Sequence, residues 1–268
     1  MPPLFSARRF FADAFRALAA SAVLVGATLH AQPLEDHETI TTAADVLALP
    51  LETAGFHLPV TIRGVVTAAE PNWQGQFIVQ DETAGLFVQN VGTQPKIGDW
   101  IEVSGTSGPG LFAPVLQSSG WKKLGAAPLP PAKRVAIDRL MAGAETSQRV
   151  EVTGLVRAIS TDRSQKTMIE IAIGGYRVRL FPRSVAHLNL PSLVGSRVRV
   201  RGTVTTAFNA ASRQLTAVNI MVPNVEDFVV LEPERHSPFE KPFIPLRDIA
   251  RYRSNATLGE RIRVKGTL

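Results

Sequence analysis

Three stretches of the chain carry one pattern. They are Val60-Thr61-Ile62-Arg63-Gly64-Val65-Val66, Val150-Glu151-Val152-Thr153-Gly154-Leu155-Val156 and Ile262-Arg263-Val264-Lys265-Gly266-Thr267-Leu268. Each alternates apolar and polar residues, reaches a glycine and resumes. Alternation with period two puts one face of a strand into a core and the other into solvent. A glycine inside such a strand marks a bulge or sharp bend, and a small barrel needs that bend to carry a strand around its corner. Repetition at this scale restricts the chain to an array of similar β units.

A second element follows each of the first two copies: Ile97-Gly98-Asp99-Trp100-Ile101-Glu102-Val103-Ser104-Gly105 and Val194-Gly195-Ser196-Arg197-Val198-Arg199-Val200-Arg201-Gly202. Between the two elements lies a hairpin. In the first copy Phe77-Ile78-Val79-Gln80 turns through Asp81-Glu82-Thr83-Ala84-Gly85 into Leu86-Phe87-Val88-Gln89. In the second, Met168 to Ile173 turns at Gly174-Gly175, a tight-hairpin signal, into Tyr176-Arg177-Val178-Arg179-Leu180. Final strands are expected near Pro114 to Leu124 and Leu215 to Val222. Five short strands with a connector between the third and fourth follow the OB-fold order; an immunoglobulin-like sandwich would want about seven. The second connector, Arg183 to Leu193, has room for one or two helical turns, and the first, Asn90 to Lys96, is too short for much helix.

Each unit has a preamble: Ile40 to Leu47, Val135 to Leu140, and Ile244 to Ile249. Pro128, Pro130 and Pro131 mark one linker, and Pro233, Pro238, Pro242 and Pro245 the other. The expected fold class is all-β: two tandem OB-like five-stranded barrels after a helical signal peptide, plus the first strand of a truncated third copy. The boundaries are 1–31 for the signal peptide, 32–58 for a preamble with a short helix, 59–127 for the first barrel, 128–232 for the second with its preamble, and 233–268 for a Pro-rich linker and the start of the third repeat. One strand cannot bury its own apolar face, so the chain reads as the N-terminal piece of a longer protein.

The N-terminus has the layout of a secretory signal. Arg8, Arg9 and Arg16 precede the uncharged run Ala17 to Thr28, and Leu29-His30-Ala31 offers a small residue at the cleavage position. Ser6-Ala7-Arg8-Arg9-Phe10-Phe11 has a twin-arginine character. The apolar run is shorter than the roughly 20 residues that span a bilayer. Removal of residues 1–31 takes away three Arg and one Asp and lowers the formal charge from +6 to about +4. The chain has 268 residues and no cysteine, which excludes disulfides, thiolate metal sites and cysteine nucleophiles; its core must hold it together unaided, and at this length it can. The expected location is the periplasm or the extracytoplasmic face of the inner membrane.

Leu58 to Thr67, Phe77 to Asp81, Gly98 to Gly105 and the Leu129-Pro130-Pro131-Ala132 linker together resemble the N-terminal extracytoplasmic region of bacterial membrane sensor proteins, chiefly sensor histidine kinases. The resemblance covers the chain from about residue 40. It implies tandem OB-like domains behind a signal peptide, with membrane-spanning and signalling modules, including a kinase, further along the same chain, and a homodimer formed through the full-length protein. No kinase residue lies in the present sequence.

Chemistry-bearing motifs are sparse. His30, His37, His57, His187 and His236 are scattered without metal-ligand spacing. Neither a nucleophile elbow nor a phosphate-binding loop occurs, and Ser107-Gly108-Pro109-Gly110 reads as a loop between strands. Asp81 and Glu82 are adjacent and point apart, so Asp81 is assigned to the turn, bonding backbone N–H groups. No catalytic residue, metal site or cofactor is expected.

The residues offered for ligand contact are Trp73, Trp100, Arg197, Arg199 and Arg201. Trp73 sits in the turn before the first hairpin, and Trp100 shares a strand face with Glu102, where it caps the barrel or meets a neighbouring domain; Trp121 is left unplaced. The three arginines, like Arg177 and Arg179, alternate along a strand of the second copy. Their ordinary role is a solvated face that discourages edge pairing; the sharper one is contact with an anionic ligand, polymer or membrane surface. Phe77 and Phe87 are assigned to the core. OB-folds bind nucleic acid with aromatics in a basic groove, but export removes that partner.

The expected function is therefore an extracytoplasmic ligand-binding or sensory region of a membrane-bound signal-transduction protein. It would bind a small molecule, a glycan or a protein. The alternatives are an accessory OB-fold binding region of a secreted enzyme, such as a nuclease or phosphatase, and a free-standing periplasmic binding protein.

Overall fold

The computed structural model describes residues 38–234, 240–249, 251 and 262–265. The expected signal peptide and the last three residues of the third repeat lie outside the described residues. Among those described, no helix is long and apolar enough to cross a membrane.

Two short helices, α1 (Ala43–Ala48) and α2 (Leu51–Ala54), precede the first barrel. Its strands are β1 (Pro59–Ala68), β2 (Phe77–Gln80), β3 (Gly85–Gln89), β4 (Asp99–Gly108) and β5 (Val115–Ala126). They close in the order β1-β2-β3-β5-β4, with β3 and β5 parallel and every other neighbour antiparallel. This order is that of the OB-fold. The inward-facing residues Ile62, Phe77, Val79, Leu86, Ile101 and Val103 are fully buried. At Gly64 the neighbouring strand comes so near that a Cβ would strike the Gln80 carbonyl, and the β1–β2 register shifts between Val66 and Ala68. The repeated glycine thus sits just before the bulge that bends the strand. Helix α2 is fastened from below by Ser107, whose Oγ donates to Ala54 O (2.9 Å) and accepts from Leu58 N (3.0 Å).

The second barrel repeats the plan. After β6 (Lys133–Arg134) and α3 (Ile137–Met141) come β7 (Arg149–Thr161), β8 (Thr167–Ile173) and β9 (Tyr176–Pro182). The one-turn helix α4 (Leu190–Leu193), β10 (Arg197–Asn209), β11 (Gln214–Val222) and β12 (Phe228–Glu232) complete it. Strand β7 pairs with both β8 and β10, and β9 runs parallel to β11, so the same barrel closes. The sheet holds seven strands rather than five, and the register explains most of the excess. β11 pairs with the C-terminal half of β10 and β12 with its N-terminal half, as the single strand β5 does along β4. The fifth strand is split at Pro223, which has no N–H to give a ladder, and the 3-10 turn Val225–Asp227 follows. The remaining strand, β6, belongs to the preamble.

That split overturns one expectation about the arginine run. β10 is no edge: its first residues are flanked by β7 on one side and β12 on the other. Arg197, Arg199 and Arg201 therefore blunt no exposed edge.

The preambles share one geometry. Ile40 bridges Val60 in parallel, Lys133 pairs with Val150 in parallel, and Phe243 bridges Arg263 in parallel. The last of these joins the third preamble to the third copy of the repeat.

The two complete barrels are also packed against each other. Thr203 Oγ1 donates to Thr67 O (3.1 Å), and Arg149 N donates to Gln80 Oε1 (3.1 Å). Ala68, Ile78 and Met221 form a small buried cluster flanked by Trp73, Phe87 and Phe181.

Candidate functional site

In an OB-fold the second and third strands, with the loops joining strands one to two and four to five, form the ligand face. In the first barrel these are β2, β3, the segment from Ala69 to Gln76, and the loop from Pro109 to Pro114. Side chains alternate along β2 and β3, so Phe77, Leu86 and Val88 enter the core while Ile78, Phe87 and Gln89 point out of it. The expectation of a core role holds for Phe77 and fails for Phe87. Phe77 pairs with Val88 and Phe87 with Ile78; that offset of one residue puts the two phenylalanines on opposite faces.

The second barrel covers part of this outer face and leaves a cleft of about 290 Å³ over the rest. Trp73, Ile78 and Phe87 form its floor. Trp73 and Phe87 meet at 6.3 Å between ring centroids with their planes tilted by 53°. One wall is the loop carrying Leu111 and Phe112; the other is β10 with Thr205, Thr206 and Phe208. Phe112 and Phe208 stack at 6.0 Å with planes 13° apart, so one aromatic from each barrel closes the end. Arg213, in the loop after β10, donates from Nη2 to Pro109 O (3.0 Å) and Gly110 O (3.2 Å) and ties the two loops together.

The polar atoms of the lining are amides and hydroxyls, from Gln76, Gln89, Thr146, Ser147, Thr205 and Thr206. Among the described residues, no side chain lining the cleft carries a charge. Lys166 and Glu70 lie nearby, paired at 3.4 Å, with Lys166 Nζ 5.4 Å from the centroid of the Phe181 ring. Such a lining offers ring faces for stacking and neutral groups for orientation.

Of the five residues singled out in the sequence, only Trp73 lines the cleft. Trp100 is half-buried on β4, between Val65 of β1 and Gly125 of β5. Trp121 packs partly on the first core and donates from Nε1 to Thr93 O at 2.9 Å. The arginines lie on the second barrel beside Glu151. That carboxylate accepts from Arg201 Nε (2.8 Å) and Arg134 Nε (2.7 Å), and Arg199 Nε is 4.0 Å away. The hydrogen bonds from Arg201 and Arg134 outweigh burial and hold the Glu151 carboxyl below the usual glutamate range. Asp81 takes the expected turn role, its Oδ1 accepting from Thr83 N and Ala84 N at 2.8 Å each, and its Oδ2 also accepts from Ala43 N at the start of α1 (2.7 Å). Among the described residues no group of three His, Asp or Glu could hold a metal ion.

Phe112 and Phe208 escaped the sequence reading. Their signal was positional: both flank the connection between fourth and fifth strands, and Phe112 follows the Ser107-Gly108-Pro109-Gly110 loop beside Leu111, which is 56% exposed.

No family model matches the chain, and comparison with curated proteins finds no match. Similar solved structures include an aspartyl-tRNA synthetase from Entamoeba histolytica, at 15% identity and a TM-score of 0.30 over 40% of this chain and 23% of that one. A putative aspartyl-tRNA synthetase from Leishmania major Friedlin gives 12%, 0.30, 43% and 24% for the same measures. The tetrameric p202 HIN2 gives 12%, 0.29, 65% and 91%. The chain thus spans about a quarter of the length of each synthetase. The OB description rests on strand order and the parallel pairing of β3 with β5 and β9 with β11.

Proposed function

We propose that the chain is a ligand-binding region whose inter-barrel cleft takes a small uncharged molecule with a flat or ring-shaped apolar face. A single observation carries this reading: the cleft over the OB ligand face of the first barrel is lined by Trp73, Phe87 and Phe112, with Phe208 from the second barrel, and among the described residues no charged side chain lines it. Single-stranded nucleic acid needs cations along its backbone as well as stacking platforms, so the lining favours a neutral ligand. A volume of about 290 Å³ is at the lower end for small-molecule sites and suits a single ring or a fused pair.

The ligand would touch both barrels, so its binding energy would favour one arrangement of them over another. This is what an input region needs, and it fits the role implied by the resemblance to extracytoplasmic sensor regions. The test is calorimetric titration with a panel of neutral aromatic compounds, monosaccharides and nucleosides beside charged analogues. The expected outcome is binding by a neutral ring compound that weakens roughly 10- to 100-fold in Trp73→Ala, since one stacked ring contributes about 1–3 kcal/mol. Binding confined to charged compounds, or unaffected by Trp73→Ala, would count against the proposal.

A further inference from the structure

The second barrel has a groove of its own, of about 380 Å³, walled by Arg134, Glu151, Thr153 and Arg199 with Ile173 and Leu231 beside them. Its construction follows from the strand register. Arg201 lies opposite Glu151 and Arg199 opposite Thr153 across β7 and β10, while Arg134 on β6 pairs alongside Glu151. Three guanidinium groups therefore converge on one carboxylate. Glu151 commits one oxygen to Arg134 and the other to Arg201, so the cluster keeps an excess of positive charge. Among the described residues, the only carboxylate beside Arg199 is Glu151, at 4.0 Å, and its guanidinium makes no hydrogen bond. Arg197 lies outside the groove, and its register partner on β12 is Glu232.

We infer that this groove is a site for a compact oxyanion, a phosphate or carboxylate group, seated on Arg199 with Arg134 and the Thr153 hydroxyl as further donors. The planar guanidinium matches a tetrahedral or planar oxyanion with paired N–H groups. A partly enclosed groove also screens the charge less than open solvent does. Arg134 closes the site as an arm: its side chain is 83% exposed and, among the described residues, anchored only through Nε to Glu151. The site is on the barrel opposite the aromatic floor, uses different residues, and stands or falls separately from the proposed cleft.

Such an anion reaches the groove free in solution or as a lipid headgroup. The experiment titrates the whole chain with inorganic phosphate by calorimetry and, in parallel, measures its sedimentation with phosphatidylcholine vesicles with and without phosphatidylglycerol. Arg199→Gln is expected to weaken the response about tenfold or more, as loss of a charged hydrogen bond does, while Arg197→Gln leaves it within about twofold. Glu151→Gln, which removes the competing carboxylate, is expected to strengthen it. If Arg199→Gln does not fold, Arg134→Gln on the exposed arm takes its place. A response in either arm that follows this order supports the site and names the source of the anion. A response that is absent in both arms, or equal in Arg199→Gln and Arg197→Gln, overturns it.

Discussion

Gln148 of the second barrel clasps Gly85 of the first. Its Oε1 accepts from Gly85 N at 2.9 Å and its Nε2 donates to Gly85 O at 3.2 Å. A side-chain amide thus mimics a strand and satisfies both backbone groups at the start of β3. The approach is so close that a Cβ on Gly85 would run into the Ser147 carbonyl.

The clasp predicts that the barrels unfold together. Gln148→Ala loses both hydrogen bonds to Gly85 and a third from Nε2 to Thr146 O, and should cost about 1–3 kcal/mol. Gly85→Ala forces backbone against backbone and should cost about 3 kcal/mol. Urea denaturation followed by tryptophan fluorescence and by circular dichroism checks this: coincident transitions shifted to lower midpoint are expected. A wild-type profile in two separated steps would show the barrels to be independent.

Arg149 and Asp227 form a buried pair at 2.7 Å, with side chains 7% and 4% exposed. Removing one partner strands the other charge away from water. Asp227→Asn should therefore lower stability by about 3–5 kcal/mol, whereas Arg134→Gln, from the exposed half of the Glu151 cluster, should lower it by about 1 kcal/mol or less. Thermal and urea denaturation of the two variants gives the comparison.

Glu151 gives stability a sign with pH. Its folded-state pKa lies below the ordinary value of 4.5, with Arg201 and Arg134 as the leading causes. The folded state therefore binds the proton less readily than the unfolded state does. The resulting stabilisation is fully present above pH 4.5 and is lost as pH falls through the lowered pKa. The stability difference between wild type and Glu151→Gln should be flat at neutral pH and shrink below pH 4.5 in a series of thermal melts. A difference that stays constant into strong acid would contradict this.

The strand plan was legible because the local pattern repeats: Gly64 and Gly154, the alternating flanks, and the Gly-polar starts at Gly98 and Gly195 lie where the folded barrels need them. What was not legible came from contacts between distant elements. Nothing local to Arg197, Arg199 and Arg201 tells that Phe228–Glu232 returns to cover that edge after the break at Pro223. Phe87 read as core because large apolar residues are usually inside; its actual place is set by tertiary contact, since Ile78 and Phe87 face the second barrel. The cleft is likewise made where two units meet, so Phe112 and Phe208, about one hundred residues apart, gave no shared local signal.

The central claim concerns the aromatic cleft, and the indole N–H resonances of Trp73, Trp100 and Trp121 report on it one by one. In ¹H–¹⁵N spectra of the whole chain titrated with neutral ring compounds, the Trp73 signal should move with a saturable profile. Trp100 and Trp121, which lie outside the cleft, should stay fixed. Movement of Trp100 or Trp121 with Trp73 unchanged, or no saturable movement across the panel, would contradict the assignment.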